Sequence, residues 1–102
     1  MKSRRLATLK YEEIVGLVES WLQYISSVIK GDIIFMSDLK RKMLREWFRE
    51  RGYSLNSVVD LQLFYHALEE TAPKLGWSVV REKYTSSYGK VKQRIMLKRV
   101  SG

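Results

Sequence analysis

Arg41, Lys42, Arg45 and Arg49 punctuate the stretch DLKRKMLREWFRER. Wound as a helix over 38–51, at about 100° per residue, this segment gathers the four cations on one half of its surface. Leu39, Met43, Leu44, Trp47 and Phe48 fall on the other half and require a core. The chemistry open to the basic half is the binding of a polyanion. Ser37 stands where an N-cap belongs, Asp38 suits the first turn, and Gly52 occupies the position of a C′ glycine.

Other reactive groups are sparse. His66 is the only histidine, and four residues before Glu70 on a helix it forms a surface pair rather than a base with a positioned partner. Glu69 and Glu70 are adjacent and diverge on a helix, so they make no carboxylate dyad. The sequence has no Cys, which excludes disulfides and thiolate zinc sites, and a single His argues against an imidazole site. Gly31, Gly52, Gly76 and Gly89 stand at element boundaries and form no phosphate loop. These observations predict a non-enzymatic protein without metal or cofactor. Trp21, Trp47 and Trp77 lie on apolar faces and are assigned to the core. Tyr84 and Tyr88, beside cations at a loop tip, offer rings on which bases can stack, or are plain solvent-exposed hairpin tyrosines.

The elements that must position these groups follow from periodicity. Ile14, Leu17, Val18, Trp21, Leu22, Ile25, Val28 and Ile29 recur at helical spacing and predict a first helix over 10–30. DIIFM over 32–36 is short, apolar and bounded by Gly and Ser, which predicts a strand. The basic helix follows and is expected to pack Leu39, Met43, Trp47 and Phe48 against Val18, Trp21 and Ile25. GYSLN over 52–56 is a turn, and Ser54, Asn56 or Ser57 can cap a third helix over 57–72. Its buried stripe is predicted as Val58, Leu61, Phe64, Tyr65, Leu68 and Ala72, with Pro73 ending it. Two strands, over 77–84 and 91–100, flank the loop TSSYGK. In the second, Val91, Ile95 and Leu97 alternate with Lys92, Arg94 and Lys98, predicting a hairpin with one apolar and one basic face. Residues 1–9 carry Arg4 and Arg5 with little apolar content and read as a flexible basic arm, with a single domain over 10–102.

The predicted fold is therefore α+β: three helices, a small antiparallel sheet and a C-terminal β-hairpin. The order of elements and the pattern FMSDLKRKMLREW…GYS…LFYHALEE…GWSVV resemble a winged helix, in which the last hairpin is the wing. The "strand, Ser, basic helix, Trp" block is similar to winged-helix tails of plasmid and viral primase-helicases. The Cys-free, Lys/Arg/Tyr-rich composition is similar to that of small proteins from hyperthermophilic archaeal viruses. The resemblance implies DNA binding, and one feature departs from it. Between Ser54 and Ala72 there is no Lys or Arg, while Asp60, Glu69 and Glu70 are acidic. A helix that reads bases usually carries Arg, Lys, Asn or Gln, and acids repel phosphates.

The net charge of +8 and pI near 9.9 favour nucleic acid or an anionic surface as partner. From Lys83 onward there are six cations and no acid. Arg4, Arg5, Arg41, Arg45, Arg49, Lys83, Lys90, Lys92 and Arg94 are accordingly the candidate nucleic-acid contacts, made mostly to phosphates and with weak sequence preference. The alternative is a protein-interaction module. In that case Val59, Gln62, Leu63 and His66 on the outer face of the third helix, or an open sheet edge, hold a peptide, a partner or a second copy. No apolar run reaches the ~20 residues that span a bilayer, and the first residues lack the apolar core of a signal peptide. The expected location is cytoplasmic, in the host cytoplasm if the protein is viral.

Overall fold

A computed structural model describes residues 3–100. The elements are β1 (Arg4–Arg5), α1 (Tyr11–Val28), β2 (Ile33–Phe35), α2 (Asp38–Glu50), β3 (Tyr53–Ser54), α3 (Val58–Thr71), β4 (Trp77–Thr85) and β5 (Val91–Arg99). Short 3-10 turns follow β1 and α3. The class is α+β, with three helices and an antiparallel sheet in the order β2-β5-β4. Both 37 and 57 are serines whose hydroxyl accepts a hydrogen bond from the amide three residues on, and so caps α2 and α3. Gly52 ends α2 at φ +86° and Gly76 ends the turn after α3 at φ +85°, where a side chain would strain the backbone.

Aromatic rings join the helices in a closed circuit. Trp21 of α1 meets Phe64 of α3 edge-on at 5.3 Å. Phe64 meets Phe48 of α2 at 5.8 Å, Phe48 touches Trp47, and Trp47 returns to Tyr24 of α1 at 6.4 Å. Trp21, Phe64, Phe48 and Trp47 are buried and meet edge-to-face, while the contact with the more exposed Tyr24 is tilted. The sheet closes the core through Ile34, Leu97 and Trp77, which lie on its inner face.

Four expectations change. Residues 3–9 of the presumed arm pack as part of the domain: Arg4 and Arg5 pair in parallel with Tyr53 and Ser54, and Leu6 is fully buried. Leu6 and Leu9, both buried in the core, supply the apolar surface that holds the segment down. Met1 and Lys2 lie outside the described residues. The buried stripe of α3 is rotated, comprising Asp60, Phe64, Ala67, Leu68 and Thr71, while Val58 is 71% exposed. Leu39 is 62% exposed because α2 turns toward the core only from Met43 onward. The hairpin is not divided into an apolar and a basic face. Val91 is exposed beyond the reach of the core, and the opposite face carries Phe35, Val80 and Met96 among the cations.

Candidate nucleic-acid interface

The basic face of α2 needs a second wall to become a site, and the N-terminal segment supplies it. β1 lies beside β3, immediately after α2, with the Arg4 amide donating to the Gly52 carbonyl at 2.9 Å. The result is a concavity of about 440 Å³ lined by Arg5, Lys42, Arg45 and Arg49, together with Ser3, Glu46, Tyr53, Ser54, Leu55 and Asn56. Lys42, Arg45 and Arg49 stand three and four residues apart, so their side chains stack along one helix face over about two turns. None of these three has a carboxylate partner among the described residues. Their charge is available to a ligand without breaking an ion pair.

Arg5 is fixed by a different device. Asp60, in the first turn of α3, is only 1% exposed. Its Oδ1 accepts from the Ala7 amide at 3.0 Å, and its Oδ2 lies 3.6 Å from Arg5 Nε. Arg5 Nη2 also donates to the Ser57 hydroxyl at 3.0 Å. The acid read in the sequence as a repellent of phosphate is thus a buried anchor that draws the N-terminal segment, and Arg5 with it, to the rim of the basic concavity. Burial removes Asp60 from the surface field, and the facing guanidinium compensates its charge. The other acids of α3 are also engaged. Glu69 holds Arg81 at 2.7 Å, and Glu70 accepts from the Tyr11 hydroxyl and faces His66 at 3.6 Å. Partial burial, then the hydrogen bond and charge of Glu70, push the Tyr11 phenol up to about 12.

The remaining candidates are dispersed. Arg4 is exposed beside Arg5 and does not line the concavity. Arg41 is paired with Asp38 and turns toward a different hollow, and Arg94 is held by Glu82 at 2.9 Å. Lys83 pairs in register with Gln93 and Lys92 with Tyr84, so these two lysines point from opposite faces of the hairpin. Lys90 belongs to the turn, where its carbonyl accepts from the Ser86 amide at 2.8 Å. Of the nine residues the sequence nominates, the structure brings Arg5, Arg45 and Arg49 together and adds Lys42. The spacing of Lys42 on the basic face was the available signal for it.

The nominated partner surface is similarly divided. Val59, Gln62 and His66 are exposed on α3, but Leu63 is half-buried against the core. The second hollow, of about 420 Å³, lies where β2 gives way to α2 and is lined by Phe35, Arg41, Tyr65, Tyr84, Gln93 and Arg94 among others. Burial pushes the Tyr65 phenol up against the opposing pull of Arg41, Arg81 and Arg45.

Among the described residues no cluster of three or more His, Cys, Asp or Glu could hold a metal ion, and no helix is long and apolar enough to cross a membrane. No family model, curated protein or solved structure matches the chain.

Proposed function

We propose that the protein is a non-enzymatic, winged-helix-like DNA-binding module that grips duplex DNA by its phosphates and acts in the cytoplasm. One observation carries this reading: Arg5, Lys42, Arg45 and Arg49 line a single concavity, three of them without a carboxylate partner among the described residues. Clustered guanidinium groups suit phosphate oxygens, because the planar fork donates in pairs and stays charged at any working pH. Phosphate contact gives affinity without sequence choice. The hairpin lysines Lys83, Lys90 and Lys92 lie outside this concavity and add to the overall positive field.

The test is retention of a duplex as salt is raised. About three or four neutralised phosphates give a slope of about 0.9 log units each per decade of salt. The double variant Arg45→Glu, Arg49→Glu should lose most of the affinity and about two contacts' worth of slope, with the fold intact because both side chains are exposed. Wild-type retention that is insensitive to salt, or a variant that binds like wild type, would rule the reading out.

A second reading, a protein-interaction module, draws on adjacent exposed valines at the start of α3, Val58 and Val59, and on the open outer edge of β4. An extended peptide can add to such an edge. Val59→Glu abolishing self-association or partner capture, with duplex binding unchanged, would favour it.

A further inference from the structure

The hollow at the end of β2 contains groups that the phosphate-gripping surface does not use. In the register of the sheet, Phe35, Met96 and Val80 form one row on the outer face, Arg94 and Glu82 the next, and Lys92 and Tyr84 the one after. Arg94 sits diagonally between two rings, its guanidinium carbon 5.6 Å from the centre of Phe35 and 5.2 Å from that of Tyr84. Glu82 pins it from the neighbouring strand at 2.9 Å. Phe35 is 47% exposed and Tyr84 39%, and Phe35 is exposed while Phe48 and Phe64 are fully buried. Two half-exposed rings flanking a fixed guanidinium form a π-surface that is preorganised for a flat ligand.

The edge of the sheet adds polar groups to this surface. The Ile95 carbonyl accepts from the Met36 amide at 2.9 Å, and the Arg99 amide donates to the Asp32 carbonyl at 2.7 Å. The odd-numbered residues of β5 therefore turn their backbone groups toward β2. Because β2 stops at Phe35, the N–H and C=O of Gln93 face the hollow with no strand beside them. A donor and an acceptor side by side match the edge of a nucleobase, which unstacked strands present freely. The volume of about 420 Å³ falls within the range of small-ligand pockets.

Charge indicates the occupant. Asp38 and Glu82 are already paired, with Arg41 and Arg94. Lys92 and Lys98, on the same outer face, have no carboxylate partner among the described residues, so the surround is positive. Aromatic rings interleaved with unpaired cations are the pattern that holds single strands, the bases stacking and the cations tracking the backbone. We infer that this hollow binds an unpaired nucleotide of a DNA strand, its base stacked on Phe35, Arg94 and Tyr84 and its edge read by Gln93. The choice of DNA rests on the duplex-binding reading above. The site itself is separate from the basic concavity, which shares none of its lining residues.

The experiment measures fluorescence anisotropy of four labelled probes: oligo(dT) about 12 nucleotides long, an abasic strand of equal length, oligo(rU), and a duplex. Wild-type protein should bind oligo(dT) about tenfold more tightly than the abasic strand, since each stacked base contributes about that much. Phe35→Leu keeps an apolar side chain beside Met96, Tyr84→Leu changes a partly exposed position beside Lys92, and both remove a π-face. Each should lose about tenfold on oligo(dT) and leave duplex retention unchanged. Arg45→Glu with Arg49→Glu should do the reverse, losing the duplex and keeping the preference for bases over abasic sugar. Equal binding of the abasic strand by wild type overturns the inference and needs no variant. Leucine variants that hold oligo(dT) like wild type also overturn it, and stronger binding of oligo(rU) overturns the choice of DNA. If no probe shows a base preference and Phe35→Leu instead dissociates a dimer in sedimentation, the hollow is a protein contact and the inference is wrong.

Discussion

Replacing Asp60 by Ala should destabilise the protein by about 2–3 kcal/mol, and the structure says where that energy resides. The carboxylate is 1% exposed and accepts from the Ala7 amide at 3.0 Å. Without it that partly buried donor has no partner, at a cost of about 1–3 kcal/mol. The 3.6 Å pair with Arg5 adds little, about 0–1 kcal/mol, because the arginine side chain is 56% exposed to water. The loss of an acid from the first turn of α3 adds a few tenths more. In a domain of this size the sum lowers Tm by about 10–20 °C. Asp60→Asn is the informative control, since its carbonyl can still accept from Ala7. It puts an amide NH2 where the buried Oδ2 faces Arg5 and so gives up the charge pair while keeping the Ala7 hydrogen bond, and it should cost about 1 kcal/mol, less than the Ala variant. Urea unfolding gives the stabilities, and amide exchange at Ala7 reports on the segment directly. An Asp60→Ala stability within about 0.5 kcal/mol of wild type, with Ala7 still protected, would refute the anchoring role. An Asn variant as damaged as the Ala variant would show that charge, rather than the hydrogen bond, holds the segment.

Two further outcomes follow from burial and titration. Trp47→Ala should cost about 3–5 kcal/mol in urea unfolding, because the indole closes the aromatic circuit and carries the Arg51 guanidinium 3.7 Å above it, whereas Leu39→Ala on the same helix should be near neutral. Equal effects would mean that α2 is turned differently. The Tyr11 phenol, pushed up to about 12 from the ordinary 10.0, binds its proton more tightly in the folded state. Its contribution to stability is therefore complete below pH 10 and is lost as pH rises from 10 toward 12. Tyr11→Phe should flatten that alkaline decline in a pH series of urea midpoints. Glu70→Gln should move the phenol only part of the way back, because burial is the larger cause.

The elements were largely legible in the sequence because local rules wrote them. Serines at 37 and 57 capped helices, glycines at 52 and 76 ended them, and apolar spacing of 3.6 and 2 separated helix from strand. The amphipathic helix over 38–51 announced both its core face and its basic face, since side-chain direction on a helix follows from the chain alone. Which groups that basic face would meet could not be read in this way. Nothing local distinguishes an acid bound for solvent from one that will be buried, so Asp60 read as a repellent of phosphate. Its role depends on a segment more than fifty residues away in the chain. Leu6 and Leu9, two apolar residues in a basic stretch, likewise gave no periodic signal, yet their burial brings Arg5 to α2. The arginines of α2 had one spacing and two fates. Arg45 and Arg49 face β3 and the N-terminal segment, while Arg41, one turn earlier, faces the sheet and pairs with Asp38. The sequence determined that a basic face would exist. The long-range contacts of Leu6 and Asp60, together with the short length of β2, decided that it would become a walled concavity and that a second, aromatic hollow would open beside the sheet.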